Sequence, residues 1–163
     1  GRTIAFGHGL GCHVCLLRPK STGEVTLNSN DAFDTPKIDP KFFSEREDMD
    51  VMIKGYRKMM QIMDAEPLKP FTRKVQDPVD INSDADIEAA MRARADTVYH
   101  PVGTCKMGSD DLSVVNHELK VHALENVRVV DASIMPSLVG GNTNAPTIMI
   151  GEKAADMIKS SWA

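Results

Sequence analysis

Five histidines, His8, His13, His100, His117 and His122, carry the side chains that titrate nearest neutral pH, so they are the first candidates for moving a proton. Local sequence singles out His100. Pro101 comes directly after it, which biases His100 toward extended backbone and stiffens the loop. Val102-Gly103-Thr104 then gives a tight turn with room for a partner to approach the backbone. A stiffly held imidazole beside open backbone suits a general base, and it equally suits a hydrogen-bonded structural histidine. The second candidate is the run Gly140-Gly141-Asn142-Thr143-Asn144-Ala145-Pro146-Thr147. Its glycines leave backbone open and its asparagines offer amide donors. A helix starting just beyond them presents free N–H groups, a place for negative charge, although the same residues also make a well-capped helix and nothing more.

Other residues invite chemistry that their setting does not support. Cys12-His13-Val14-Cys15 is formally C-x-x-C, but in an extended segment side chains three apart point to opposite faces, which opposes a disulfide and a shared metal. With Cys105 the cysteine count is three, odd for a disulfide framework and suited to a reducing compartment. Gly7-His8-Gly9-Leu10-Gly11 has the glycines of a dinucleotide loop, yet the adjoining segment Val14–Arg18 has strand rather than helix character. No metal is expected.

These residues must be positioned by the elements around them. Val14–Arg18, a turn at Ser21-Thr22-Gly23 and a returning strand Glu24–Leu27 are expected to form a β-hairpin. Residues 28–43, with Pro36 and Pro40, are expected to be an irregular connection. Ser44 with Glu47 makes a capping box, and Met49, Met52, Ile53, Tyr56, Met59, Met60 and Met63 at spacings of three and four predict a helix over 45–63. Residues 64–82 carry three prolines and are expected to be loop. Ser83 caps a second helix that ends near Ala95. Val127–Val130 is expected to be a short strand ending at Asp131. The last helix is predicted to take Asn144 as its N-cap, with Pro146 in its first turn and Ile148, Gly151, Ala155 and Ile158 inward.

The bulk numbers bound the class. The chain has 163 residues, is 42% hydrophobic and 26% charged, and carries a net charge of −4, the profile of a globular protein with enough apolar material for a core. A net negative chain without basic runs argues against a nucleic-acid partner. No apolar run approaches the roughly 18–20 residues that span a bilayer.

Four blocks of this sequence together resemble the glucose–methanol–choline (GMC) oxidoreductase family. Tyr99-His100-Pro101-Val102-Gly103-Thr104-Cys105-Lys106-Met107-Gly108 looks like that family's active-site histidine segment. Val129-Val130-Asp131-Ala132-Ser133-Ile134-Met135-Pro136 is similar to its flavin-contacting strand and turn. Residues 142–156, reading NTNAPTIMIGEKAAD, resemble its second active-site segment and closing helix. Leu17-Arg18-Pro19-Lys20-Ser21 through Val25-Thr26-Leu27 is similar to its substrate-domain hairpin, with Thr22 where the family commonly has arginine. The blocks occur in the family's order.

The resemblance implies an α+β fold, a mostly antiparallel sheet with helices on one face, divided into residues 1–98 (hairpin and helices) and 99–163 (histidine segment and C-terminal flavin-contacting segment). It implies that His100 accepts the hydroxyl proton of an alcohol while hydride leaves for FAD, and that Asn142, or Asn144 two residues on, holds the alkoxide oxygen. Asp131 and Ala132 would approach the FAD diphosphate and ribityl chain, and Asn144, Ala145, Pro146 and Thr147 would lie beneath the flavin pyrimidine edge, where a helix start favours the charge of the reduced ring. The family's glycine-rich βαβ unit for the ADP half of FAD is not in this sequence. The expectation is therefore a C-terminal portion of an FAD-dependent alcohol or choline dehydrogenase. Its partners are a small alcohol and the flavin-binding remainder of its chain. Alone it should be inactive, colourless and able to self-associate, and its expected location is the cytoplasm or the periphery of the inner membrane. The reading from another class is a non-catalytic binding or assembly module whose methionine-striped helix covers a partner.

Overall fold

The computed structural model describes residues 9–162, so Gly7 and His8 of the glycine-rich loop lie outside it. The described chain divides into two units, one built from residues 9–16 and 43–96, the other from 17–42 and 97–162.

The first unit is a helix pair. Helix α1, Arg46–Met63, and helix α2, Asp84–Arg94, pack through the apolar positions their spacing predicts: Met49 and Ile53 against Ile87 and Met91, all buried. Met52 and Tyr56 are half-buried on the same side, so the upper part of the methionine stripe is core. Ser83 caps α2, its Oγ accepting from the Asp86 N–H at 3.2 Å. Arg57 ties the approach to α2 by donating from Nε to the Ile81 carbonyl at 2.8 Å and from Nη2 to Asp84 at 2.5 Å. Two expectations fail here. The N-cap of α1 is Glu45, not Ser44, and its side chain makes no cap hydrogen bond, so the helix starts without the expected Ser44–Glu47 box. Within 64–82, Glu66–Phe71 form a 3₁₀ helix rather than loop, with Pro67 at its start, where a missing N–H is harmless.

The second unit holds two strands, a long irregular segment and the last helix. Strand β1, Glu24–Thr26, pairs antiparallel with β2, Lys37–Asp39, in the register Val25 opposite Ile38. The expected partner, Val14–Arg18, forms no strand. Val14 is instead drawn into the core of the first unit: its Cγ2 sits 2.6 Å from where a Cβ on Gly55 would lie, so only glycine at 55 admits it. Part of the 28–43 connection is therefore strand. Val127–Val130 is not one. It contributes a single bridge, Arg128 with Lys120, flanked by backbone bonds from Val121 to Val127 and from Val129 to Leu119. The class is α+β, with a smaller sheet than expected.

Helix α3, Asn144–Trp162, buries Ile150 and Ala154 against Ile134, Met135, Val115 and Leu119. The expected inner face is rotated: Ile148 is 59% exposed and Gly151 is exposed, while Met157 packs on the core. Apolar residues occur around most of this helix, so contact with the 132–135 turn, not periodicity, decides which side is buried. Among the described residues no helix is long and apolar enough to cross a membrane.

Candidate active site

The second unit gathers the three segments marked as chemically interesting. Tyr99 enters first. Its φ of 63° puts a non-glycine residue in the left-handed region, which reverses the chain immediately before His100. Gly103 takes φ +88°, where a side chain would be strained, and its Cα faces the Met135 carbonyl. The chain then lies along the 131–135 turn. Cys105 N–H donates to the Ser133 carbonyl at 3.0 Å and Met107 N–H to the Ile134 carbonyl at 2.8 Å.

That turn is a short 3₁₀ helix, Ala132–Ile134, with Asp131 as its N-cap. Asp131 Oδ1 accepts from the Ser133 N–H at 2.8 Å and also from the Ser133 hydroxyl. Asp131 is exposed and Ala132 half-buried against the core. The carboxylate is thus held by its own turn through Oδ1.

The histidine segment meets the helix start through one side-chain bond: Thr143 Oγ1 and His100 Nδ1 are 3.0 Å apart. Thr143 is buried and His100 half-buried. Thr143 also takes the capping position expected of Asn144. Its carbonyl accepts from the Thr147 N–H at 3.0 Å and from the Thr147 hydroxyl at 2.6 Å, and Asn144 is the first helical residue. Asn142, Asn144 and Ala145 are exposed; Pro146 and Thr147 are half-buried. Over the loop between, the Arg18 guanidinium lies against Gly140, with Nη2 3.0 Å from where a Cβ on Gly140 would be.

With Nδ1 taken, Nε2 is the ring nitrogen left to exchange a proton, and it has no hydrogen-bond partner among the described residues. The same unit carries exposed amides at Asn142 and Asn144 and, at the start of α3, first-turn N–H groups with no intrahelical acceptor. This set suits a ligand with a hydroxyl proton to give up and a neighbouring group that gains negative charge. Among the described residues no cluster of three or more His, Cys, Asp or Glu could hold a metal, and the three cysteines are free thiols. A cavity of about 350 Å³ lined by Met107, Gly108, Ser109, Asn116, His117 and His122 contains none of the site residues.

The loop leaving the histidine segment is braced by Asp110. Lys106 Nζ donates to it at 3.0 Å, the Ser113 hydroxyl at 2.9 Å and the Leu112 N–H at 3.0 Å. The bond from Lys106, then those from Ser113 and Leu112, hold its carboxyl down at about 2.

Fold and site together define an α+β domain that sets a histidine loop against the amino end of a long helix. Residues 19–151 match the family profile described as GMC oxidoreductase. The chain is 52% identical over 159 residues to an alcohol dehydrogenase [acceptor] of Pseudomonas putida, covering 97% of this chain and 29% of that protein. It is 42% identical over 160 residues to an oxygen-dependent choline dehydrogenase of Cronobacter sakazakii, covering 98% of this chain and again 29% of the relative. A formate oxidase from Aspergillus oryzae, studied for its FAD modification, shares the fold with a TM-score of 0.84 at 35% identity, over 90% of this chain and 26% of that one. This chain belongs to the GMC oxidoreductase family, and it spans less than a third of the length of these relatives.

Proposed function

We propose that this chain supplies the proton-accepting, substrate-facing part of an FAD-dependent enzyme that oxidises a primary alcohol, choline included, to the aldehyde. The observation that carries the reading is the His100–Thr143 bond, which joins the histidine loop to the helix start and leaves Nε2 without a hydrogen-bond partner among the described residues. His100 takes the hydroxyl proton at Nε2. Asn142, or Asn144 at the first position of α3, donates an amide N–H to the oxygen as it becomes an alkoxide. Asp131 and Ala132 would hold the diphosphate and ribityl portion of FAD, and Asn144, Ala145, Pro146 and Thr147 its pyrimidine edge. When bound, FAD supplies the hydride acceptor. The first N–H groups of α3 favour negative charge on that edge. Because the chain covers 29% of its relatives, the activity is assigned to a longer polypeptide that includes the remaining flavin contacts.

The test is turnover of a panel of primary alcohols by the full-length flavoprotein with an artificial electron acceptor. His100→Ala is expected to lower turnover by about 10²–10⁴-fold, the range of a general base, at unchanged flavin content. Near-normal turnover in that variant removes His100 from the role.

A further inference from the structure

We infer that Thr143 is a positioning residue, whose hydroxyl keeps the His100 proton on Nδ1 and so leaves Nε2 bare to accept the substrate's; this rests on the base role proposed above. A neutral imidazole has one N–H and one lone pair, and the partner of one nitrogen decides which is which. A threonine hydroxyl can donate or accept. Only the form in which Nδ1–H donates to Oγ1 leaves a lone pair on Nε2. In that form the bond is also the same before and after proton transfer: the imidazolium carries both N–H groups, and Nδ1–H still donates to Oγ1. In the opposite form Nε2 already bears hydrogen, and the substrate proton has nowhere to go.

Thr143 is built to hold still. It is buried, and its β-branched side chain is stiff at χ1. Its carbonyl accepts two bonds from Thr147, fixing its backbone to the first turn of α3. The oxygen facing His100 is therefore referenced to a 19-residue helix rather than to a loop.

The experiment is ¹⁵N NMR of the full-length flavoprotein labelled on histidine, with the His100 signals assigned by their loss in His100→Gln. Above the imidazole titration, native protein and Thr143→Ser are expected to show a protonated Nδ1 and an unprotonated Nε2. Thr143→Val should shift the proton to Nε2 and lower the high-pH plateau of kcat/KM roughly fivefold to tenfold, the population one net hydrogen bond controls. A protonated Nε2 in the native protein overturns the inference. So does an unchanged tautomer and plateau in Thr143→Val. Should Thr143→Val fail to fold, the native spectrum decides alone. Normal turnover in His100→Gln would sink the base role, whereas a dead His100→Gln beside a fully active Thr143→Val would sink only the role of Thr143.

Discussion

Thr143 Oγ1 meets His100 Nδ1 at 3.0 Å across 43 residues of sequence, and the carbonyl of the same threonine accepts the Thr147 N–H in the first turn of the final helix. The histidine loop and the helix start are thus joined in one contact.

The two asparagines can be separated. Asn144 is the first residue of α3, where alanine is a better helix former, so its replacement does not weaken the helix by propensity. Asn142 lies in the loop before it. Asn142→Ala in the full-length flavoprotein is expected to lower turnover by about 10²-fold, as loss of one donor to a developing oxyanion does, with Asn144→Ala milder. Steady-state kinetics on both variants check this. The reverse order transfers the role to Asn144.

Asp131 should matter to cofactor retention through its turn. Its Oδ1 is engaged by Ser133, so Asp131→Ala removes a cap worth about 1 kcal/mol and loosens the 132–134 backbone. Asp131→Asn keeps an acceptor. Flavin per protein, read from absorbance after gel filtration, should fall in the alanine variant and hold in the asparagine one. Equal retention in both dissociates the cap from cofactor binding.

Asp110 gives a pH dependence with a fixed sign. Its carboxyl is lowered from an ordinary 3.8 to about 2, so the folded state favours the ionised form. The stabilisation is present above the ordinary value and is lost as pH falls through about 2. The thermal midpoint of the native protein should exceed that of Asp110→Asn above pH 4, and the gap should close on acidification toward about 2. A gap independent of pH in that window would show that the loop is not held by this carboxylate. Because Asp110 is exposed, the effect should shrink with added salt.

The helix pair should lose stability where it is buried and not elsewhere. Met49→Ala and Ile87→Ala empty fully buried positions and are each expected to cost about 2–5 kcal/mol in urea unfolding. Ile62→Ala, on the same helix as Met49 but 54% exposed, should stay within about 0.5 kcal/mol.

The sequence was most legible where the signal was periodic or local. Helix α1 lies within a residue of its expected bounds because its apolar spacing runs through 18 residues, and Ser83 caps α2 because that bond spans three. The sheet was not legible: strands of three residues carry no usable alternation, and β1 pairs with Lys37–Asp39 while Val14 of the expected partner packs on the core of the first unit. His100 stood out from its neighbours in the chain. Thr143 did not, because its claim rests on a contact 43 residues away that no window of sequence contains. The packed side of α3 was misjudged for a related reason, since Ile148, Met149 and Ile150 are chemically alike and only tertiary contact separates them.

The double use of Thr143 has a thermal consequence. Fraying of the first turn of α3 breaks the bonds that fix the threonine backbone, and the imidazole then loses its anchor while both hydrophobic cores are still intact. Heat inactivation should accordingly run ahead of the melting of the fold, and a ligand that clamps the helix start should delay it.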